Sequence, residues 1–412
     1  MNSNSFTIFV RPEERKIIIS SEKESKYRIK INSLVSGEEF WNSVHEVSSE
    51  TSVWISPGRG TGYTDCFVGG CSVKVFSEGG DLLGEHFWKP AFEKKVLFIT
   101  PHLSTGGCPQ YLYRKIVEHT HQVEAYVVEW DDIGGDAWIV QKERIRSWVG
   151  SSRLFTLWED KSRIFEIIDQ IQPDVIHFEE IPETYVPYKI LERIVMGGDR
   201  KWFITETTHS SFSKKEQKVF LPDKFYFVSP FSQKEFESLG VPSEIWEYPI
   251  DDLTRPDRRS SLEKIGLDPD FYHILNVGLF TPGKNQGEIF RLAEKFLGEK
   301  VQFHFLGNQA GNFEHYWKPL MESKPQNCRV WGERKDVEEF MKCCDIFLFP
   351  STFELNPLVV KEALSWKMPV LMRKLHTYGN TYDGVENVHY IDFHIEKTEK
   401  IVREILSSLA HV

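Results

Sequence analysis

Residues 94–119 read KKVLFITPHLSTGGCPQYLYRKIVEH: a continuous apolar strand, a loop with two adjacent glycines, then a helical pattern. A strand that is apolar on both faces and feeds a helix is the unit of a parallel α/β sheet, where helices cover both sides. The unit recurs at VEAYVVEW, PDVIHFEE, KWFITETTH and KFYFVSP followed by SQKEFESLG. The charged stretch LTRPDRRSSLEKIG reads as a linker, and the pattern then starts afresh with HILNVGLFTPGKNQGEIFRLAEKF, VQFHFLGN, CRVWG, DVEEFMKCC and DIFLFP. Two successive α/β halves are expected.

Upstream the periodicity changes. SFTIFV, KIIISS, KYRIKIN, TSVWISP, CSVKVFS and LLGEHFW are short β-like runs, with the turn signals PGRGTG and SEGGD between them. No helical pattern alternates with them, so a small antiparallel sandwich is expected. The domain boundaries that follow are 1–90 for this β-rich accessory domain, 94–250 and 251–395 for the two α/β halves, and 396–412 for a last helix, around EKTEKIVREILSSL, that packs back on the N-terminal half.

The bulk properties bound the function. A chain of 412 residues is too long for one core. A net charge of −11 disfavours a nucleic-acid acceptor, which calls for a dominant basic field. The six cysteines, Cys66, Cys71, Cys108, Cys328, Cys343 and Cys344, follow no zinc spacing, and their scarcity fits a reducing cytoplasmic setting. MNSNSFTIFVRPEERK lacks the apolar core of a signal peptide, and no run is long enough for an integral membrane segment. A cytoplasmic location is the expectation.

The densest chemistry lies in Ser351–Trp366, STFELNPLVVKEALSW. Asn356 suits an N-cap and Pro357 a first helical position, so the helix is expected to begin at Pro357. Glu354 then lies in the loop before it and Glu362 about 7 Å along its axis. The unengaged N–H groups of Leu358 and Val359, with the positive helix end, form an anion site. Taken alone, the two glutamates read as ordinary helix-start polarity.

Placed after the strand DIFLFP, the stretch resembles the E-x7-E signature of retaining glycosyltransferases of the GT-B fold, family 4 in particular. The resemblance implies two Rossmann-like domains facing across a cleft, with a nucleotide sugar, UDP- or GDP-linked, held mainly by the C-terminal one. It places Glu354 at the donor sugar and Glu362 at the ribose, and puts Asn356, Pro357, Leu358 and Val359 against the donor. Where relatives carry a Gly-Phe-Gly type of segment, this chain has Leu355, Asn356 and Pro357. ILNVGLFTPGKNQGE resembles the loop that brings an Arg and a Lys to the diphosphate: Gly278 and Lys284 match, whereas Leu279 stands at the Arg position and Arg334 is a candidate substitute. HLSTGGCPQ resembles the family's glycine-rich loop, with Gly106 and Gly107 near the donor phosphate or the acceptor.

By the same resemblance His209, in ITETTHSSF, faces the reacting sugar and joins Glu354 as a catalytic residue. His177 and Glu179, in DVIHFEEIPE, are acceptor-side candidates, although solvated carboxylates are the plainer reading of Glu179, Glu180 and Glu183. Trp130, Trp138 and Trp158 read as an acceptor platform or as core. The implied reaction needs no bound cofactor and no essential metal. A noncatalytic GT-B nucleotide- or glycan-binding protein and a nucleotide-sugar epimerase are the alternatives. The acceptor and the oligomeric state are not legible in the sequence.

Overall fold

The computed structural model describes residues 6–409 apart from 12–15, 22–24, 34–38, 48–49, 55–69, 90–91, 105, 120–121, 133–139, 210–214, 310 and 379. The turn PGRGTG, Cys66 and Trp138 lie outside the described residues.

The N-terminal region is antiparallel β. Strands β1 (Phe6–Arg11), β2 (Lys16–Ser21) and β5 (Glu50–Trp54) form one sheet, in the order β1-β2-β5. A second sheet, in the order β4-β3-β6-β7, contains β3 (Ser25–Ser33), β4 (Glu39–Val47), β6 (Cys71–Phe76) and β7 (Leu82–Trp88). Alternate residues Ile17 and Ile19 of one sheet and Tyr27, Ile29, Ile31, Val73 and Val75 of the other share one core, as period-2 patterning requires. SEGGD turns as expected: Gly80 has φ 92°, and Ser77 and Asp81 close the loop. The strand β4 is an addition to the sequence reading, since EFWNSVHEV mixes polar and apolar residues too evenly to stand out.

Two parallel sheets follow. The first has the order β10-β9-β8-β11-β12-β13-β14, from β8 (Lys94–Thr100), β9 (Val123–Glu129), β10 (Leu154–Thr156), β11 (Val175–Glu179), β12 (Phe203–Thr208), β13 (Lys224–Phe227) and β14 (Ser243–Ile245). The second has the order β17-β16-β15-β18-β19-β20, from β15 (Tyr272–Val277), β16 (Val301–Leu306), β17 (Cys328–Gly332), β18 (Ile346–Phe349), β19 (Val370–Met372) and β20 (Val388–Tyr390). In both, the order reverses beside the first strand of the half, between β8 and β11 and between β15 and β18. Ligands of open α/β sheets sit at the carboxyl ends of strands at such a switch. The molecule therefore has the GT-B composition of two Rossmann-like domains after an antiparallel β region.

By contact density the chain forms two compact units, residues 1–207 with 219–224 and residues 208–218 with 225–412. In the first, Leu97, Ile99, Ile176, Phe178 and Ile204 pack with helix residues Ile164, Ile167, Ile168 and Leu191, and Trp130 is fully buried in that core. Trp130 is thus core, whereas Trp158 is exposed. In the second, Leu275, Phe347 and Phe349 pack one face of the sheet, and Ile274, Phe303 and Leu348 pack the other.

Two expectations change. LTRPDRRSSLEKIG is no linker: Asp257 caps the helix Arg258–Lys264 by accepting from Ser260 N at 2.9 Å, and Leu262 is buried in the core. Arg258 makes a two-pronged pair with Asp345, both contacts at 2.8 Å, which fastens this helix to the second sheet. The last helix, Ile395–Leu409, spends its apolar face on its own unit, where Val402 and Leu406 join the core and Arg403 pairs with Glu299.

Candidate functional site

Adjacent parallel strands β15 and β18 deliver two loops to the same edge of the second sheet. Thr352 N donates to Gly283 O at 2.9 Å, tying the loop after β18 to the loop after β15. This brings Lys284 and Glu354 together, with Nζ 2.5 Å from Oε1. The pair is partly open: the Lys284 side chain is 29% exposed and that of Glu354 14%. The Lys284 ammonium lies 5.2 Å from the centre of the Phe349 ring, and its stem runs along Gly278, with Cδ 3.5 Å from where a Cβ would stand. Such a pair can exchange partners with a ligand, because neither charge is locked away from water.

The two loops are braced from behind. A Cβ at Gly307, φ 147°, would stand 2.1 Å from Gly278 O, so the close approach of the turns after β15 and β16 requires glycine there. Gln286 donates to Leu279 O at 3.0 Å, and Leu279, at the clamp-Arg position, is half-buried. Thr377 donates its hydroxyl hydrogen bond to Glu354 O, and Tyr378 OH donates to Arg373 O at 2.8 Å. The buried Tyr378 phenol is pushed up in pKa, first by burial and then by the Glu354 charge. Sequence reading missed Gly307 and Thr377; the glycine directly after VQFHFL was the available signal.

The helix begins at Leu358, one residue later than expected, and runs to Ser365. Pro357 is its cap residue, with φ −71° and an extended ψ of 104°, and Asn356 does not cap. The Asn356 amide is instead committed to Val228 O, at 2.7 Å. Val360 and Lys361 make the first backbone bonds, both to Pro357 O, so the Leu358 and Val359 N–H groups stand ahead of the helical series. Glu362 is half-buried one turn further on. Lys361, the buried residue before it, donates to Tyr248 O at 2.6 Å and pairs with Glu247, and burial lowers its pKa.

Lys284, Glu354, Gly278, Asn356, Pro357, Leu358, Val359 and Glu362 therefore gather in one unit around the head of one helix. Arg334 is engaged elsewhere, in a two-pronged pair with Asp336 at 2.7 and 2.6 Å. His209 follows β12 and is half-buried. An ammonium, unengaged N–H groups at a positive helix end and two carboxylates, one in the loop before the helix and one a turn into it, suit an anion that carries hydroxyl groups.

The first unit holds a different constellation at the same topological place. Gly106, exposed with φ 120°, and Gly107 lead from β8 into the helix Gly107–His119. Glu129, buried at the end of β9, accepts from Leu103 N at 2.9 Å and fixes that loop. His177 and Glu179 are buried, at 3% and 0% exposure, and neither is a solvated strand-end carboxylate or imidazole. Between them sits Lys115, 2% exposed, with Nζ 2.9 Å from His177 Nε2, 3.4 Å from Glu179 Oε1 and hydrogen-bonded to Thr207 Oγ1. Lys115 falls in the spacing of Leu112 and Ile116 on the apolar face of its helix, a signal that sequence reading passed over.

Comparison with known proteins agrees with this architecture. Residues 257–406 match the family described as Glycosyl transferases group 1. Over 175 residues the chain is 26% identical to an alpha-galactosylglucosyldiacylglycerol synthase of Streptococcus pneumoniae, covering 38% of this chain and 45% of that protein. It is 23% identical over 264 residues to an uncharacterized glycosyltransferase of Methanocaldococcus jannaschii, covering 56% of this chain and 64% of the relative. The matched stretches thus span about half to two thirds of these relatives. Among solved structures, Anabaena HepE in complex with UDP-glucose superposes with a TM-score of 0.60 at 14% identity, covering 77% of this chain and 91% of that one. The match to the group 1 family lies within the C-terminal Rossmann-like half, and the fold is that of GT-B glycosyltransferases.

Proposed function

We propose that the protein transfers a sugar from a nucleotide-diphosphate sugar to an acceptor hydroxyl, with retention of configuration at the anomeric carbon. The observation that carries this reading is the meeting of Lys284 and Glu354 at the head of the helix Leu358–Ser365, with Glu362 four residues in. A diphosphate at the Leu358 and Val359 N–H groups takes Lys284 as its counter-ion. The ribose then reaches Glu362, about 6 Å along the helix axis, and the sugar reaches Glu354 on the opposite side. A uridine donor is favoured over a guanosine one by the fold relative solved with UDP-glucose.

In the reaction the bond from C1 to the phosphate oxygen breaks and a bond from C1 to the acceptor oxygen forms on the same face. The acceptor proton passes to the departing phosphate oxygen, so no protein base is required. Lys284 and the helix N–H groups stabilise the charge that develops on the leaving group. His209, from the loop after β12, is assigned to the donor sugar. No essential metal enters this scheme.

Leu279 at the clamp position and the engagement of Arg334 with Asp336 favour a second reading, a nucleotide- or glycan-binding protein without turnover. Nucleotide release from UDP-glucose, UDP-galactose and GDP-mannose, with NMR of the product anomer, separates the two. Retained α-product supports transfer; binding without release supports the second reading.

A further inference from the structure

The Lys115 cluster lies outside the donor machinery and is costly to maintain. A buried ammonium loses its hydration, a loss that only partners for all of its donors offset. Here the three N–H donors of Lys115 meet His177 Nε2, Glu179 Oε1 and Thr207 Oγ1. Because Nε2 accepts from the ammonium, the His177 proton resides on Nδ1, where it donates to Thr205 Oγ1 at 2.7 Å. This geometry fits the Nδ1–H tautomer of His177. Neither it nor Glu179 has surface with which to touch an acceptor.

The next residue does. Glu180 is half-buried and takes a left-handed conformation, φ 64°, with its N–H on Thr207 O at 3.0 Å. A non-glycine residue in this region is strained and persists only where its surroundings impose it. Cys108, directly after Gly107, has its thiol within 4.8 Å of a Glu179 carboxylate oxygen and 3.8 Å from Thr100 Oγ1. Burial and the charges of Glu179 and Glu180 push that thiol well up in pKa. The cluster thus joins the glycine loop, the end of β11 and the end of β12.

Resting on the transfer reading above, we propose that Lys115 is a positioning residue for that reaction: it locks Glu179, His177 and Thr207 into a fixed floor that sets Glu180 and the Gly106–Gly107 loop at the acceptor end of the first sheet. Besides those three, the groups facing Lys115 are Tyr111, whose ring centre is 4.9 Å from Nζ, and Cys108 and Glu118 on its own helix. Burial lowers the Lys115 pKa to about 8 against the opposing pull of Glu179. The floor therefore loses its central proton as pH rises through that value.

The test compares wild type, Lys115→Met and the double variant Lys115→Met/Glu179→Gln, which removes both buried charges. The readouts are UDP and GDP affinity by calorimetry, nucleotide release from UDP-glucose, UDP-galactose and GDP-mannose, thermal midpoint, and the His177 tautomer by nitrogen-15 NMR. The double variant is expected to melt at or near the wild-type temperature and to bind nucleotide within about twofold, since removing both charges strands neither. Its turnover is expected to fall at least about thirtyfold and to lose the alkaline limb expected of wild type above pH 8, and its His177 is expected to show a mixed tautomer. A double variant with wild-type turnover and pH profile overturns the positioning role alone. Wild type that binds neither nucleotide and releases none overturns the transfer reading and the positioning role with it.

Discussion

Each Rossmann-like half places a lysine and a glutamate at its topological switch, and the two pairs are built oppositely. Lys115 and Glu179 are 2% and 0% exposed, 3.4 Å apart, and share further partners in His177 and Thr207. Lys284 and Glu354 are 29% and 14% exposed and in direct contact. The same two side chains are thus a structural fixture in one half and an exchangeable pair in the other. Burial decides which: a closed pair cannot release its cation to a phosphate without stranding a carboxylate, whereas an open pair can.

The contrast is broken most sharply at the open pair. Glu354→Gln is expected to lower nucleotide-sugar turnover by about a hundredfold or more while UDP affinity stays within about threefold, because the proposed transfer puts the carboxylate at the sugar and not at the nucleotide. Steady-state release assays beside calorimetry check this. Lys284→Met is expected to weaken UDP binding by about 10- to 100-fold, the value of one charge-assisted hydrogen bond. Glu362→Gln, which keeps a polar group where the proposed transfer puts the ribose, is expected to cost about tenfold in UDP affinity.

Gly307→Ala sharpens the comparison differently, since it attacks the scaffold under the open pair and not the pair itself. Its Cβ meets Gly278 O at 2.1 Å, so the loop bearing Lys284 must shift. Chemical denaturation is expected to show a loss of about 2–4 kcal/mol, with UDP binding falling in parallel.

The smallest effect concerns acid stability. Trp331 Nε1 donates to His304 Nδ1 at 3.1 Å, so His304 carries its proton on Nε2 and donates to His273 Nδ1 at 2.9 Å; His273 Nε2 then donates to Asp268 O at 2.8 Å. This chain has no place for a second proton on either ring. Burial lowers the pKa of His273 and takes that of His304 to about 3. The unfolded chain binds these protons near pH 6.5 and the folded chain does not, so their contribution is complete above pH 6.5 and is lost as pH falls toward the folded value. The thermal midpoint should drop between pH 7.5 and 5, and less steeply in His304→Gln.

Much of this was legible in the sequence for one reason: parallel strands buried on both faces leave continuous apolar runs such as KKVLFIT and DIFLFP. The loops that follow them must then converge at strand ends, which is why Lys284, Glu354 and Glu362 could be gathered from far-apart motifs. Tertiary context decided the rest. Asn356 had the oxygen that an N-cap needs, but its side-chain NH2 is fixed on Val228 O and Pro357 takes the cap position, and RRSSLEK reads as charged linker until Asp345 receives Arg258. The spacing of Lys115 marks it as buried, but its partners His177, Glu179 and Thr207 come from strands β11 and β12 and meet it only in the fold.

Titration of the wild-type protein and Lys284→Met with UDP and GDP, by calorimetry, tests the central claim most directly. The account predicts that wild type binds one nucleotide diphosphate and that the variant, still folded, binds it at least about tenfold more weakly. Wild type silent to both nucleotides, or a Lys284→Met variant that binds as well as wild type, would contradict it.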